Sequence, residues 1–250
     1  MLYSYLIQRF LLMFLTLLGM SIIIFVLLRL VPGNIVDIMF DSAGFVDPAE
    51  KATIEKELGL DLPIYQQYYH WIAGLISFDL GYSFVSEMPA IDEIGPRIPI
   101  TAKLAGLSLF FSILFGLPLG VISAVKQNTA LDYILRVFSL SGLSLPSFWL
   151  ALLILMACVS YTGSIPIYTE APETLWDELL LYLLPSAAVG FRASALIMRL
   201  TRSSMLEVMR QDYIRTAMSK GASDNAINYK HALRNAVLPV TTIIGIEAAF

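Results

Sequence analysis

The feature that most constrains this chain is a set of apolar runs too long for the interior of an ordinary soluble domain. A bilayer core about 30 Å thick takes about 20 apolar residues in a helix. Residues 10–31 meet that length with Arg29 as their only charge, near enough to the end to reach the interface. Residues 99–125 follow with Lys103 near their start, residues 137–161 carry no charge, and residues 179–198 are interrupted by Arg192. A fifth run begins at Ala236, and the chain stops inside it at Phe250. At the usual helical rise that run extends only about 22 Å, so it is expected to be cut short of a full span. The first run begins as a signal peptide does, with Arg9 ahead of it. It is too long for one, and no small-x-small cleavage site precedes Pro32, which predicts a retained helix. The expected fold is all-α, a polytopic transmembrane bundle in one domain over residues 1–250.

Charge supports lipid as the main solvent: 14% of residues are charged, against roughly a quarter in soluble domains. The charges are also segregated. Residues 33–98 hold eleven acidic residues against Lys51, Lys56 and Arg97, and residues 162–178 hold four acids and no base. Residues 199–234 carry seven bases against Glu207, Asp212 and Asp224, and the link 126–136 has two bases and Asp132. Lys/Arg excess marks the cytoplasmic side. The N-terminus, 126–136 and 199–234 are therefore expected inside, and the two acidic loops outside. In the first acidic loop, residues 48–58 have helical charge spacing, with Asp47 as N-cap and Gly59 as the stop. Residues 63–76 carry Tyr65, Tyr68, Tyr69 and Trp71, as an interfacial helix does. This loop is either an anchored outer cap or a docking surface for an external partner.

Several chemistries lack their residues. Cys158 is the sole cysteine, so an intrachain disulfide is excluded, and His70 and His231 are far apart. No His/Cys cluster has metal-ligand spacing, no Gly-x-Ser-x-Gly elbow occurs, and no Gly-rich phosphate loop ends in Lys-Ser/Thr. No catalytic residue, metal site or nucleic-acid partner is expected.

The informative stretch is 201–239. Met205, Leu206, Val208, Met209, Tyr213, Ala217 and Met218 recur at helical spacing, flanked by Arg210, Arg215 and Lys220. Gly221 is placed to end that helix in the left-handed conformation, and Ser223 to cap the next, which runs through Ala226, Ile227 and Tyr229 toward His231. Pro239 falls in the first turns of the fifth run, where it is expected to kink the helix. Taken alone, such a basic amphipathic loop is as well suited to lipid headgroups as to the cleft of a soluble protein.

The motifs within it narrow the choice. Asp212–Ala217 read DYIRTA, Lys220–Gly221 follow, then HALRNA at His231–Ala236 and Leu238–Pro239. These residues resemble the coupling loop of permease subunits in the dipeptide/oligopeptide/nickel branch of ABC importers. In that loop Arg215-Thr216-Ala217 take the place of the Glu-Ala-Ala of other branches, and the Glu is absent. The resemblance extends to Leu30-Val31-Pro32-Gly33, Leu58-Gly59-Leu60-Asp61, Asp79-Leu80-Gly81-Tyr82-Ser83, Leu145-Pro146-Ser147-Phe148-Trp149 and the stretch from Thr201 to Val208. It implies a type I importer permease fold and ATPase coupling through Asp212, Tyr213, Ile214, Arg215, Thr216, Ala217, Lys220, Gly221 and Ser223. Arg202, Glu207, His231, Arg234, Asn235 and Pro239 flank that loop. It implies as partners a second homologous permease, two cytoplasmic ABC ATPase subunits or domains holding ATP and Mg, and an external substrate-binding protein. The substrate it implies is a di- or oligopeptide, with nickel as the alternative. Family members also carry a further outer segment and a sixth helix beyond the point where this sequence stops.

Inside the spans, Arg192 is a candidate for the translocation path or for packing, and Lys103 is expected to reach an interface. Gly106, Gly116, Gly120 and Gly142 are expected to permit close helix packing, and Pro118 and Pro146 to kink their helices. A secondary transporter is disfavoured because Glu247 is the only acid in an expected span, and a membrane-embedded enzyme because no acid/base pair lies in one.

Overall fold

The computed structural model describes residues 2–31, 33, 36–37, 48–83, 85–163 and 175–249. The chain divides into two compact units, residues 1–95 and 96–250.

In the first unit, helix α1 (Leu2–Leu30) is exposed along almost its whole length, as suits a helix solvated by lipid. Helix α2 (Pro48–Glu57) ends at Gly59, whose φ of +64° lets the amides of Gly59 and Leu60 bond back to Lys56 and Glu55. Asp47, its expected cap, lies outside the described residues. Helix α3 (Ile64–Ile76) packs on α1 through aromatic side chains. Phe25, 6% exposed, meets the Tyr68 ring edge-on at 5.4 Å and Trp71 at 5.6 Å. The Ser21 and Tyr68 hydroxyls are 2.8 Å apart. Gln67 Nε2 donates to the carbonyls of Leu60 and Leu62, which fixes the turn between α2 and α3. A two-stranded hairpin, β1 (Tyr82–Ser83) and β2 (Met88–Pro89), leads into the short α4 (Ala90–Ile94).

The second unit is built around α5 (Arg97–Val125) and α8 (Leu175–Val208). Glycine brings them together. A Cβ on Gly116 would lie 2.7 Å from the Ser194 carbonyl oxygen, and one on Gly120 would lie 2.6 Å from Thr201 Cβ. Gly190 of α8 returns the contact, since a Cβ there would be 2.8 Å from the Ser108 carbonyl oxygen. Gly116-Leu-Pro-Leu-Gly120 is thus a working small-xxx-small face, and α5 remains continuous through Pro118. Gly142 plays the same part toward Ala195 and Phe191, whereas Gly106 is exposed and, among the described residues, nothing lies within 4 Å of a Cβ built on it.

The run 137–161 does not form the single helix expected of it. Helix α6 (Ala130–Ser144) and helix α7 (Ser147–Thr162) meet at 106°. Pro146 is the cause: its ring excludes the α-helical region for Leu145, which sits at φ −83°, ψ +128°. Ser139 Oγ donates to the Ala195 carbonyl at 2.9 Å and Phe138 stacks edge-on against Phe191, holding α6 on α8.

Helix α8 continues to Val208 instead of stopping near Met198. The helix expected to run on through Met218 is interrupted at 209–211, because Gln211 is extended (ψ +150°), and resumes as α9 (Asp212–Ser219). A π-helical segment, Ala226–Ala232, then joins α10 (Leu233–Glu247), which contains Pro239. Among the described residues, α1, α5 and α8 are each long and apolar enough to cross a membrane, and the bent α6–α7 pair would be a fourth crossing. Helix α10, at 15 residues, is not long enough.

Candidate functional site

The segment 205–236 gathers most of the residues singled out from the sequence. Its anchor is Ile214, fully buried on the inner face of α9. Ile214 enters a cluster formed by Val121 and Ala124 of α5, Met205 of α8, Ile227 and Ala232 of the π segment, and Ala236 of α10. Leu206, Val208, Met209, Ala222 and Leu233 close around it. A short helix thus lays its one buried side chain in a cluster that also holds residues of α5, α8, the π segment and α10. The outer face of α9 carries Asp212, Arg215, Thr216 and Met218, all exposed, with Ala217 half-buried and Tyr213 42% exposed. Tyr213 is tied back to α10, where Asn235 Nδ2 donates to its hydroxyl at 2.7 Å. Thr216 and Ser219 hydroxyls donate to carbonyls one turn earlier, and Arg215 pairs with Asp212 at 3.4 Å.

The turn after α9 is a Schellman cap. Gly221, at φ +79°, donates to the Met218 carbonyl while the Ala222 amide bonds to the Ala217 carbonyl. Among the described residues nothing lies within 4 Å of a Cβ built on Gly221, so within this chain its requirement for glycine is conformational. Ser223 Oγ accepts from the Ala226 amide at 3.4 Å, as its expected capping role requires. The π-helical stretch that follows places half-buried His231 and exposed Lys230 one residue off ordinary helical register, a distortion frequent at functional positions. Glu207, Lys220, Arg234 and Pro239 are exposed.

Arg202 is drawn into a different cluster, one the sequence reading missed. Asp132, fully buried, accepts a two-pronged pair from Arg202: Nε to Oδ1 at 2.8 Å and Nη2 to Oδ2 at 2.9 Å. Ser123 Oγ donates to Oδ1 at 2.6 Å, and the Asn128 amide donates to Oδ2 at 3.0 Å. Arg136 stands 3.7 Å away. The carboxylate thus joins the end of α5, the 126–129 turn, the start of α6 and the lower part of α8. Thr129, which caps α6 by accepting from the Asp132 amide, completes a Thr-x-x-Asp start signal that was present in the sequence. Arg192, by contrast, stands apart from both clusters. It is 59% exposed on α8, with Nη1 4.0 Å from Glu247 Oε2. Lys103 pairs with Glu178 and lies over the Tyr182 ring. No group of three or more His, Cys, Asp or Glu among the described residues is arranged to hold a metal ion.

Comparison with known proteins places this architecture. Residues 116–250 match the family described as binding-protein-dependent transport system inner membrane component, and residues 1–105 match the N-terminal region of the same membrane component. The dipeptide transport system permease protein DppB of Alkalihalophilus pseudofirmus is 34% identical over 98% of this chain and 79% of its own length. DppB of Escherichia coli K12 is 34% identical, over 93% of this chain and 76% of its own. The glutathione transport system permease protein GsiC of the same strain is 33% identical over 99% of this chain and 78% of its own. With both stretches matched and the apolar helices in place, this multi-pass membrane protein belongs to the inner membrane component family of binding-protein-dependent transport systems.

Proposed function

We propose that the chain is the permease subunit of an ATP-driven ABC importer for di- or oligopeptides, forming half of the translocation pathway. The observation that carries the reading is the seating of Ile214. Helix α9 has an exposed face able to dock on another protein and one buried side chain locked among α5, α8 and α10. A push on α9 therefore reaches the membrane helices through packed side chains, as a rigid-body switch requires. The reading places the N-terminus and α9 in the cytoplasm. Two ATPase subunits or domains bearing ATP and Mg contact α9, a second homologous permease completes the pathway, and a binding protein delivers substrate from outside. The positive charge of 199–234 supports that orientation. Relatives named for dipeptide and glutathione transport favour peptides over nickel.

The test is Gly221→Val in the complex reconstituted with its partner subunits. No atom among the described residues lies within 4 Å of a Cβ there, so within this chain the valine acts by resisting the left-handed backbone, at about 1–2 kcal/mol. The variant is expected to assemble and to lose dipeptide uptake. Normal uptake together with normal ATPase stimulation overturns the coupling role of α9.

A further inference from the structure

One charged pair has no part in the α9 cluster or in the Asp132 network. Arg192 lies near the middle of the apolar stretch Leu181–Val208, on an exposed stripe of α8 with Pro185, Val189 and Arg199. Glu247 projects half-buried from α10, beside Thr241, Thr242 and Gly245, which are exposed. At 4.0 Å the two groups attract but share no hydrogen bond, so the five guanidinium N–H donors have no acceptor among the described residues. A cation at this depth facing hydrocarbon is costly, and such side chains face the bundle interior or a water-filled path. The exposed side of Arg192 therefore calls for a polar partner rather than lipid.

We infer that Arg192 and Glu247 form a station on the translocation path that receives the two charged ends of a short zwitterionic peptide. The planar guanidinium takes the terminal carboxylate in two-pronged fashion, and Glu247 takes the terminal ammonium. The complementarity lies in the pair itself: one fixed cation and one anion, adjacent and loosely joined. Because no hydrogen bond ties them to each other, a peptide exchanges one ionic contact for two without leaving a charge unpaired. The inference rests on the peptide-importer reading, and its failure is separable from failure of that reading.

The experiment measures ATP-dependent dipeptide uptake at sub-saturating concentration by the full complex in vesicles. Arg192→Gln, Arg192→Lys, Glu247→Gln and the double variant R192Q/E247Q are compared, with assembly checked by co-purification of the second permease. Arg192→Gln is expected to lower uptake about tenfold and to raise the apparent KM, with Arg192→Lys intermediate and the double variant as impaired as Arg192→Gln. A double variant that regains wild-type uptake overturns the station, because the two residues then serve only to neutralise each other. Loss of the second permease from Arg192→Gln, with Arg192→Lys assembled and fully active, also overturns it and assigns this face to the contact between subunits. A wild-type complex that takes up no dipeptide removes the peptide reading itself, whereas impairment confined to the variants bears on the station alone.

Discussion

At the residue scale, the energetics concentrate in Asp132. Its carboxylate accepts from Arg202, Ser123 and the Asn128 amide while fully buried, so removing either charge strands the other. Breaking a buried pair from one side costs about 3–5 kcal/mol, much of it the penalty on the charge left behind. Asp132→Ala and Arg202→Ala should each lower the midpoint of thermal unfolding of the detergent-purified complex. The double variant should be less destabilised than the sum of the two, by about 1–3 kcal/mol. Additive effects would show that the pair is not coupled. Arg202 could be named from the sequence because it lies in the motif-bearing loop. The charge pairing of Asp132 could not, because Arg202 lies 70 positions away along the chain.

At the element scale, the spacing of α5 and α8 is set by what glycine omits. A Cβ on Gly120 would lie 2.6 Å from Thr201 Cβ and 2.7 Å from the Met198 carbonyl oxygen, and neither atom is the end of a flexible side chain. Gly120→Val should therefore destabilise the protein by about 1–3 kcal/mol or more, by forcing the helices apart. Gly106→Ala, on the same helix but in open space, should be neutral or slightly stabilising through helix propensity. Thermal unfolding of the two variants side by side checks this, and equal effects would refute the packing account. Four glycines on two apolar runs were visible in the sequence with equal claims. Only the approach of α8 separates Gly116, Gly120 and Gly142 from Gly106. In the same way, helical spacing from Met205 to Met218 predicts one helix, yet the break at 209–211 lets Ile214 turn inward beneath Met205 and Ile227. Side-chain periodicity survives a short interruption, so it could not reveal one.

For the whole molecule, membrane sidedness is testable because Cys158 is the sole cysteine. With Cys158→Ser as background, a cysteine at exposed Glu57 should react with an impermeant maleimide in intact cells. One at exposed Lys220 should react only after the membrane is opened, and the reverse pattern would invert the proposed orientation. Run length and charge segregation were sufficient to establish an all-α membrane protein, since the lipid requirement is one-dimensional: so many apolar residues, with bases gathered on one side. The local chemistry of Gly59, Gly221 and Ser223 was equally plain, because caps depend on residues a few positions apart. What the sequence could not supply was anything decided by two elements meeting. The turn at Pro146 is signalled locally, but its 106° angle depends on α6 and α7 both packing against α8. The burial of Asp132 by Arg202, the anchoring of Ile214 and the meeting of Arg192 with Glu247 each join residues distant in the chain. Linear pattern carries solvent preference and helix ends, whereas pairing of buried charge and insertion of single side chains exist only once the helices are in contact.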